Sequence, residues 1–364
     1  MRVGPPSDHD MRVFPPVYPW NAFDSRRWME FYRSPVIPRV PGPRNLTVHA
    51  ESEEMRHRLM SEFDHVHFDR VGRLDGEFVS SSTGLLLFDR AGACLQANFP
   101  GGSSMAATLT FTEANSPALW DYRQSLRDDW DTLPLIENAA VFSHIYSNNY
   151  YHFSFELLQK FRLIQDHDIR VVVMPSPIYH NGVFREMISQ ALGDRLLLPA
   201  TEVARLKNPM LVEAWQSDEG LRWLRAFVGR TLPAEGCRYY IRRNPLKPRR
   251  GNNVAETEAF LAFLERHDFT TIDFGNGELS LSEQIDKLQG ASFVLAAHGA
   301  GLTNLSYLNG PARIVEIFSR AVISTSFIRV SDALDLEHHA IIAETLDEQG
   351  DIIVDCDLLE SLIA

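Results

Sequence analysis

Residues 292–318 read SFVLAAHGAGLTNLSYLNGPARIVEIF. The run Phe293-Val294-Leu295-Ala296-Ala297 is apolar throughout, the pattern of a strand buried on both faces of a parallel sheet. It halts at His298-Gly299-Ala300-Gly301, where two glycines allow a sharp turn and a close backbone approach that a Cβ would block. Residues 302–308 have the texture of a short helix, and RIVEIF at 313–318 that of the next buried strand. Strand, glycine turn and helix start together make an anion site, because unpaired N–H groups and the helix dipole both face the turn. An ordinary tight strand-to-helix turn carries the same two glycines; His298 and Asn304 beside it favour a ligand.

Working outward, the alternation of strand and helix continues on both sides. RYYIR at 238–242 reads as a strand, and Asn253 with Glu256 has capping-box spacing for a helix running to His267. A strand follows at 270–274. Ser280 and Glu283 then repeat the capping signal for a helix with Leu281, Ile285 and Leu288 on one face, closed by Gly290. Earlier in the chain, ENAAVFSHIY (137–146) is a strand, and 153–167 carries a helical stripe at Phe153, Leu157, Phe161 and Ile164. RVVVM at 170–174 is a buried strand. A helix at 184–192 and short strands at 196–198 and 210–215 complete this block, and a helix from Asp218 to about residue 230 leads out of it. Two successive alternations predict an α/β protein with two Rossmann-like domains facing a central cleft. The expected boundaries are an arm at 1–45, an N-terminal α/β domain at 46–215, a second Rossmann-like domain at 216–340 and a tail at 341–364. The arm is rich in proline, arginine and aromatics. EFVSSS, GLLLFD and CLQANF supply short strands between 46 and 112. The terminal helix (LLESLI) is expected to pack back on the N-terminal domain, and His338 and His339 read as surface residues.

A chain of 364 residues, 45% apolar and 23% charged, suits a globular enzyme of two domains. No run approaches the roughly 18 apolar residues of a membrane span. The first twenty residues place prolines and acids where a signal peptide needs an apolar core, so a cytoplasmic location is expected. A net charge of −13 argues against nucleic acid as partner. Cys94, Cys237 and Cys356 offer neither a disulfide framework nor a CxxC metal pair. Against the acidic background, Arg238, Arg242, Arg243, Lys247, Arg249 and Arg250 form a basic island. It is either a solvated face or a loop that grips phosphate, for which arginine supplies a planar donor fork. Asp129-Trp130-Asp131 has the Asp-x-Asp form of some metal-holding sugar transferases, but no apolar strand precedes it.

The second stretch with chemistry is NNYYHFSFE at 148–156. His152 and Glu156 stand four apart at the start of a helix and share one face. They follow the C-terminal end of a predicted parallel strand, the ligand edge of such sheets. A carboxylate and a neighbouring imidazole can together act as a general base. A surface pair and half of a metal site are the other readings of HxxxE.

NYYH with an acid four residues after the histidine, YYIRR followed by paired arginines and an asparagine, AHGAGLTN and VEIF occur in this order and together resemble family 61 glycosyltransferases. That family includes bacterial capsular-polysaccharide-type enzymes and the eukaryotic extracellular O-linked N-acetylglucosamine transferase. The resemblance covers roughly residues 78–318 and is strongest from 137. It implies a GT-B-like, inverting, nucleotide-sugar-dependent transferase that acts on a glycan acceptor in cell-surface polysaccharide biosynthesis, with no obligatory divalent metal. By this resemblance Glu156 and His152 are the catalytic pair, either being the base. Arg243, Arg249, Arg250, Asn253, His298, Gly299, Ala300, Gly301, Thr303, Asn304 and Glu316 bind the donor, Glu316 through the ribose or as a plain strand-end acid. The departures are Arg242 where the family has serine, Val254 where it often has glutamate, and Phe153 where it has tryptophan. A non-catalytic nucleotide-sugar or glycan-binding module is the alternative, and a nicotinamide-dependent oxidoreductase a weaker one, because the third glycine of GxGxxG is missing. Association of the arm with a partner, a second copy or a membrane surface is left open.

Overall fold

The computed structural model describes residues 17–19, 28–33, 43, 45–50, 52–61, 63, 69–81, 83–90, 94–96, 125–144, 146–228, 236–243, 253–274, 279–288, 290–308 and 310–363. It is an α/β structure with two largely parallel sheets, each of six strands, and a third, mixed sheet.

The first parallel sheet runs in the order Leu196–Pro199, Val171–Met174, Ala139–Val141, Met210–Glu213. Arg70–Leu74 and then Trp28–Arg33 are added antiparallel at one edge. Numbered along the chain, its four parallel strands lie 3-2-1-4, half of a Rossmann arrangement, with the order reversing between Ala139–Val141 and Met210–Glu213. The second sheet is parallel throughout: Phe269–Asp273, Cys237–Arg242, Ala291–Ala297, Arg313–Ser319, Glu337–Ala343 and Leu46–Ala50. Its reversal falls between Cys237–Arg242 and Ala291–Ala297. Leu46–Ala50, grouped with the N-terminal domain on sequence, therefore completes the C-terminal sheet. The mixed sheet collects Val17–Pro19, Cys94–Gln96, Leu86–Phe88, Glu77–Ser80, Arg205–Lys207 and Leu135–Glu137.

One apolar core runs from the first sheet into the second, joining Phe142, Phe153, Phe161, Leu221 and Leu224 to Val294, Leu302, Tyr307 and Phe327. Helices carry this junction. Gly182–Leu192 packs on Leu281–Leu288, and Asp218–Val228 packs on Ser326–Ala333. The capping box at Ser280 is present: Ser280 N–H donates to Glu283 Oε2 (2.8 Å) and Glu283 N–H to Ser280 Oγ (3.3 Å). The box expected at Asn253 is not. Helix Glu258–Arg266 begins later, capped by Thr257, because Val254 bridges to Ile352 and holds the preceding residues extended. The terminal helix Cys356–Ile363 packs on Glu258–Arg266, with His267 Nε2 2.7 Å from Glu360, and so belongs to the C-terminal half rather than the N-terminal one. His338 and His339 are also not surface residues; both lie buried in Glu337–Ala343. Among the described residues no helix is long and apolar enough to cross a membrane.

Candidate active site

Each parallel sheet carries a glutamate between two histidines, the first beside the order reversal and the second one strand beyond it. In the N-terminal half the strand Ala139–Val141 ends in Phe142-Ser143-His144, and the chain returns as the short helix Tyr150–His152, capped by the Asn149 side chain on Tyr151 N–H. The expected single helix over 153–167 is interrupted. Phe153–Leu157 forms a wider turn in which Leu158 N–H reaches Phe153 C=O (2.7 Å), and a regular turn resumes at Lys160–Leu163. Such π-turns recur at functional sites. Glu156 sits in this turn, and its Oε2 lies 2.6 Å from His144 Nε2 and 2.7 Å from His152 Nδ1. The side chains keep 9% exposure at Glu156, 17% at His144 and 27% at His152, so the cluster opens on the His152 side.

Backbone geometry fixes the protons. Tyr146 N–H donates to His144 Nδ1 (3.1 Å), so Nδ1 is bare and Nε2 carries the hydrogen that Glu156 accepts. Burial holds His144 below the ordinary imidazole value, which keeps it neutral. Burial alone would raise the Glu156 carboxyl, but its interactions with His144 and His152, which both donate to it, outweigh this and hold the group well below the usual carboxylate range. A carboxylate can only accept, so His152 offers Nδ1–H and its lone pair is left on Nε2. One turn further on, burial pulls the Lys160 ammonium down to about 8, its Nζ donating to Ser143 C=O (2.8 Å), and pushes the nearby Glu213 carboxyl up to about 8.

His144, His152 and Glu156 are also a three-ligand set by composition. Their spacing suits hydrogen bonds instead. Donor atoms at about 2.1 Å from a tetrahedral ion stand about 3.4 Å apart, against 2.6 and 2.7 Å here. A histidine that ligates through Nε2 also donates from Nδ1 to an acceptor, whereas His144 Nδ1 receives a hydrogen from Tyr146.

In the C-terminal half, Arg243 follows the strand Cys237–Arg242 and its Nη1 donates to His298 C=O across the order reversal. A Cβ on Gly299 would lie 2.8 Å from that Nη1, so the guanidinium is laid directly on the turn. Gly299 itself is extended (φ 174°), and close approach rather than dihedral freedom is what calls for glycine there. Ala300–Tyr307 winds as 3₁₀ rather than α-helix. His298 Nδ1 lies 2.6 Å from Glu316 Oε1, and His338 Nε2 lies 3.2 Å from Glu316 Oε2. Burial raises the Glu316 carboxyl, but the hydrogen bond from His298 and the neighbouring His338 ring overcome this and hold it low.

Several expected ligand contacts are turned inward. Thr303 and Asn304 are fully buried. Asn304 accepts from Tyr150 OH (2.9 Å) and donates to Gly301 C=O (3.1 Å), tying the glycine turn to the Tyr150-Tyr151-His152 turn. Tyr150 OH also meets Tyr307 OH at 2.9 Å. Glu316, with 0% exposure, is engaged by histidines and offers no open strand-end acid. Asn253 C=O accepts from Ile352 N–H. Arg242 forms two bonds to Asp273 (3.0 and 2.6 Å), and Phe153 stacks on Phe184 at 3.9 Å. Asp131 is paired with Arg90 at 2.7 Å. Arg249 and Arg250 lie outside the described residues.

Three residues that motif reading passed over complete the picture: His144, His338 and Phe327. Phe327, which opens the helix Ser326–Ala333, meets Tyr151 edge-on (5.5 Å) and His298 at a tilt (5.5 Å), bridging the two clusters. Only a histidine placed just past an apolar strand could have pointed to His144.

A carboxylate–imidazole pair at one reversal point and an arginine-backed glycine turn at the other are the layout of an α/β protein that binds ligand at its strand ends. Residues 150–315 match the family model described as Glycosyltransferase 61, and this segment is a glycosyltransferase family 61 domain. A β-1,2-xylosyltransferase of Oryza sativa subsp. japonica is 38% identical over 63 residues, which is 17% of this chain and 12% of that protein. His144, Glu316 and His338 lie outside the matched segment.

Proposed function

We propose that the chain is an inverting glycosyltransferase of GT-B-like arrangement that moves a sugar from a nucleotide-sugar donor to a hydroxyl of a glycan acceptor. The observation that carries this reading is the His152–Glu156 pair at 2.7 Å, standing at one reversal point and tied through Tyr150 and Asn304 to the glycine turn at the other. The pair also assigns roles. Glu156 is held anionic and accepts from two N–H groups, so it is a weak proton acceptor and a good orienting group. His152 Nε2 removes the acceptor hydroxyl proton, while Glu156 fixes the ring and stabilises the imidazolium that forms. The nucleophile then attacks the anomeric carbon from the face opposite the diphosphate, which inverts the centre. Arg243 and the backbone of the 298–301 turn neutralise the departing diphosphate, with Arg249 and Arg250 as further donors from the same basic island. Fixed donors aimed at such charge are each worth about 3 kcal/mol in the transition state.

The relative's name makes a pentose donor the first to try. The experiment incubates the protein with UDP-xylose, UDP-N-acetylglucosamine, UDP-galactose and GDP-mannose, a mixture of oligosaccharide acceptors, and EDTA. Released nucleoside diphosphate and the anomeric configuration of the product are read. Turnover with inversion, unaffected by EDTA, is expected. Retention of configuration, or nucleotide binding with no turnover, overturns the proposal, and the second outcome returns the chain to a binding module.

A further inference from the structure

His298 carries the same equipment as the base. Its Nδ1 is 2.6 Å from the Glu316 carboxylate, which can only accept, so Nδ1 holds a hydrogen and Nε2 is the ring's remaining functional atom. Nε2 has no hydrogen-bond partner among the described residues, and the side chain keeps 19% exposure. Behind it His338 Nε2 stands 3.2 Å from Glu316 Oε2, near but not aligned for a hydrogen bond, and Ser331 Oγ lies 2.8 Å from His338 Nδ1. Glu316, His338 and Ser331 are all buried. Sinking a carboxylate this deep is costly unless it holds a partner. A carboxylate on Nδ1 fixes the ring's orientation and its tautomer.

We propose that His298 is the general acid of the transfer, giving its Nε2 proton to the phosphate oxygen that leaves the anomeric carbon, with Glu316 and His338 as its positioning residues. This rests on the transferase reading above. In the step, the acceptor oxygen bonds to the anomeric carbon and its proton passes to His152 Nε2. The electron pair of the broken C–O bond stays on the phosphate oxygen, which takes the His298 proton. One proton is removed and one supplied, and exchange with solvent resets both rings. The charged and titratable groups around His298 are Glu316 on its ring, Arg243 on its carbonyl and His338 behind Glu316. Phe318 and Phe327 flank the ring and carry no charge.

The test measures kcat against pH with whichever panel donor the wild type turns over, and the affinity for the matching nucleoside diphosphate. His298→Asn keeps a donor toward Glu316 and removes the acid. It is expected to lower kcat about a hundredfold or more, to abolish the fall in rate at high pH, and to change nucleoside diphosphate affinity less than threefold. Glu316→Gln should move that alkaline fall to lower pH; if its thermal midpoint shows a damaged fold, His338→Gln serves in its place. Unchanged kcat in His298→Asn, or a loss of affinity as large as the loss of kcat/KM, overturns the assignment and leaves the transferase reading standing. No turnover by the wild type on any donor overturns both.

Discussion

The two histidine-flanked glutamates differ in what carries them and in how far they are sealed. Glu156 rides on a widened helical turn, four residues from one of its histidines, and both imidazoles converge on the same oxygen. Glu316 stands mid-strand between neighbouring strands, and each histidine takes a different oxygen. The helical cluster is open at His152; the sheet cluster is closed everywhere except at His298. A helix brings residues four apart to one face, so its cluster lies within the single stretch from His144 to Glu156 and can be altered locally. The sheet cluster is assembled from the end of one strand (His298), the middle of the next (Glu316), the start of a third (His338) and one helix (Ser331), and it doubles as core. The first site should therefore respond to mutation in rate, the second in rate and stability together.

That contrast breaks most sharply at Glu156. Glu156→Gln should cut kcat by at least about a hundredfold while leaving nucleotide affinity nearly intact; a rate within threefold of wild type would remove the cluster from catalysis. Glu316→Ala strands the histidine N–H groups in the core and should cost about 2–3 kcal/mol in denaturant unfolding, more than Glu156→Ala. The reverse ranking would make the helical cluster the structural one. Gly299→Ala pushes on a movable guanidinium rather than on backbone, so the thermal midpoint should hold while nucleoside diphosphate binding weakens about tenfold, or ~1.4 kcal/mol. Tyr150→Phe removes the hydroxyl between the two turns and should cost about 1 kcal/mol, with acceptor KM rising more than donor KM.

Acid titration sharpens the same comparison. The folded Glu156 carboxyl lies below its ordinary value of 4.5. Its stabilising contribution is therefore complete above that value and is lost as pH falls through the folded one. Glu316 is shifted in the same direction. Below pH 4.5 the unfolding midpoint of the wild type should fall more steeply than that of Glu156→Gln; parallel curves would mean that the imidazoles do not hold this carboxylate.

The parts legible in the sequence were those written locally. Ser280 with Glu283, the apolar strand ending at His298, and the His152–Glu156 spacing each specify a feature within a few residues. The expected box at Asn253 fails although its spacing equals that at Ser280, because Ile352, about a hundred residues away, claims Val254 first. EHHAII looks polar at its start, and nothing local shows that His338 meets a buried Glu316 across the sheet. The hydrogen bond that fixes the His144 tautomer comes from a backbone N–H, which leaves no mark on side-chain pattern. Periodicity predicted an unbroken helix over 153–167; the π-turn adds a residue to one turn, which an apolar stripe does not record, and Phe153 at its start stacks on Phe184.

The strand Leu46–Ala50 has a consequence in time. Its His49 stacks on His339, 290 residues later, with Nε2 3.1 Å from Nδ1. At roughly 5–20 residues per second of synthesis, this strand leaves the ribosome on the order of 15–60 s before the neighbour it pairs with exists. Throughout that interval its hydrogen-bonding edge must be screened by something other than its final partner. The C-terminal sheet cannot take in this strand until Glu337–Ala343 has been made.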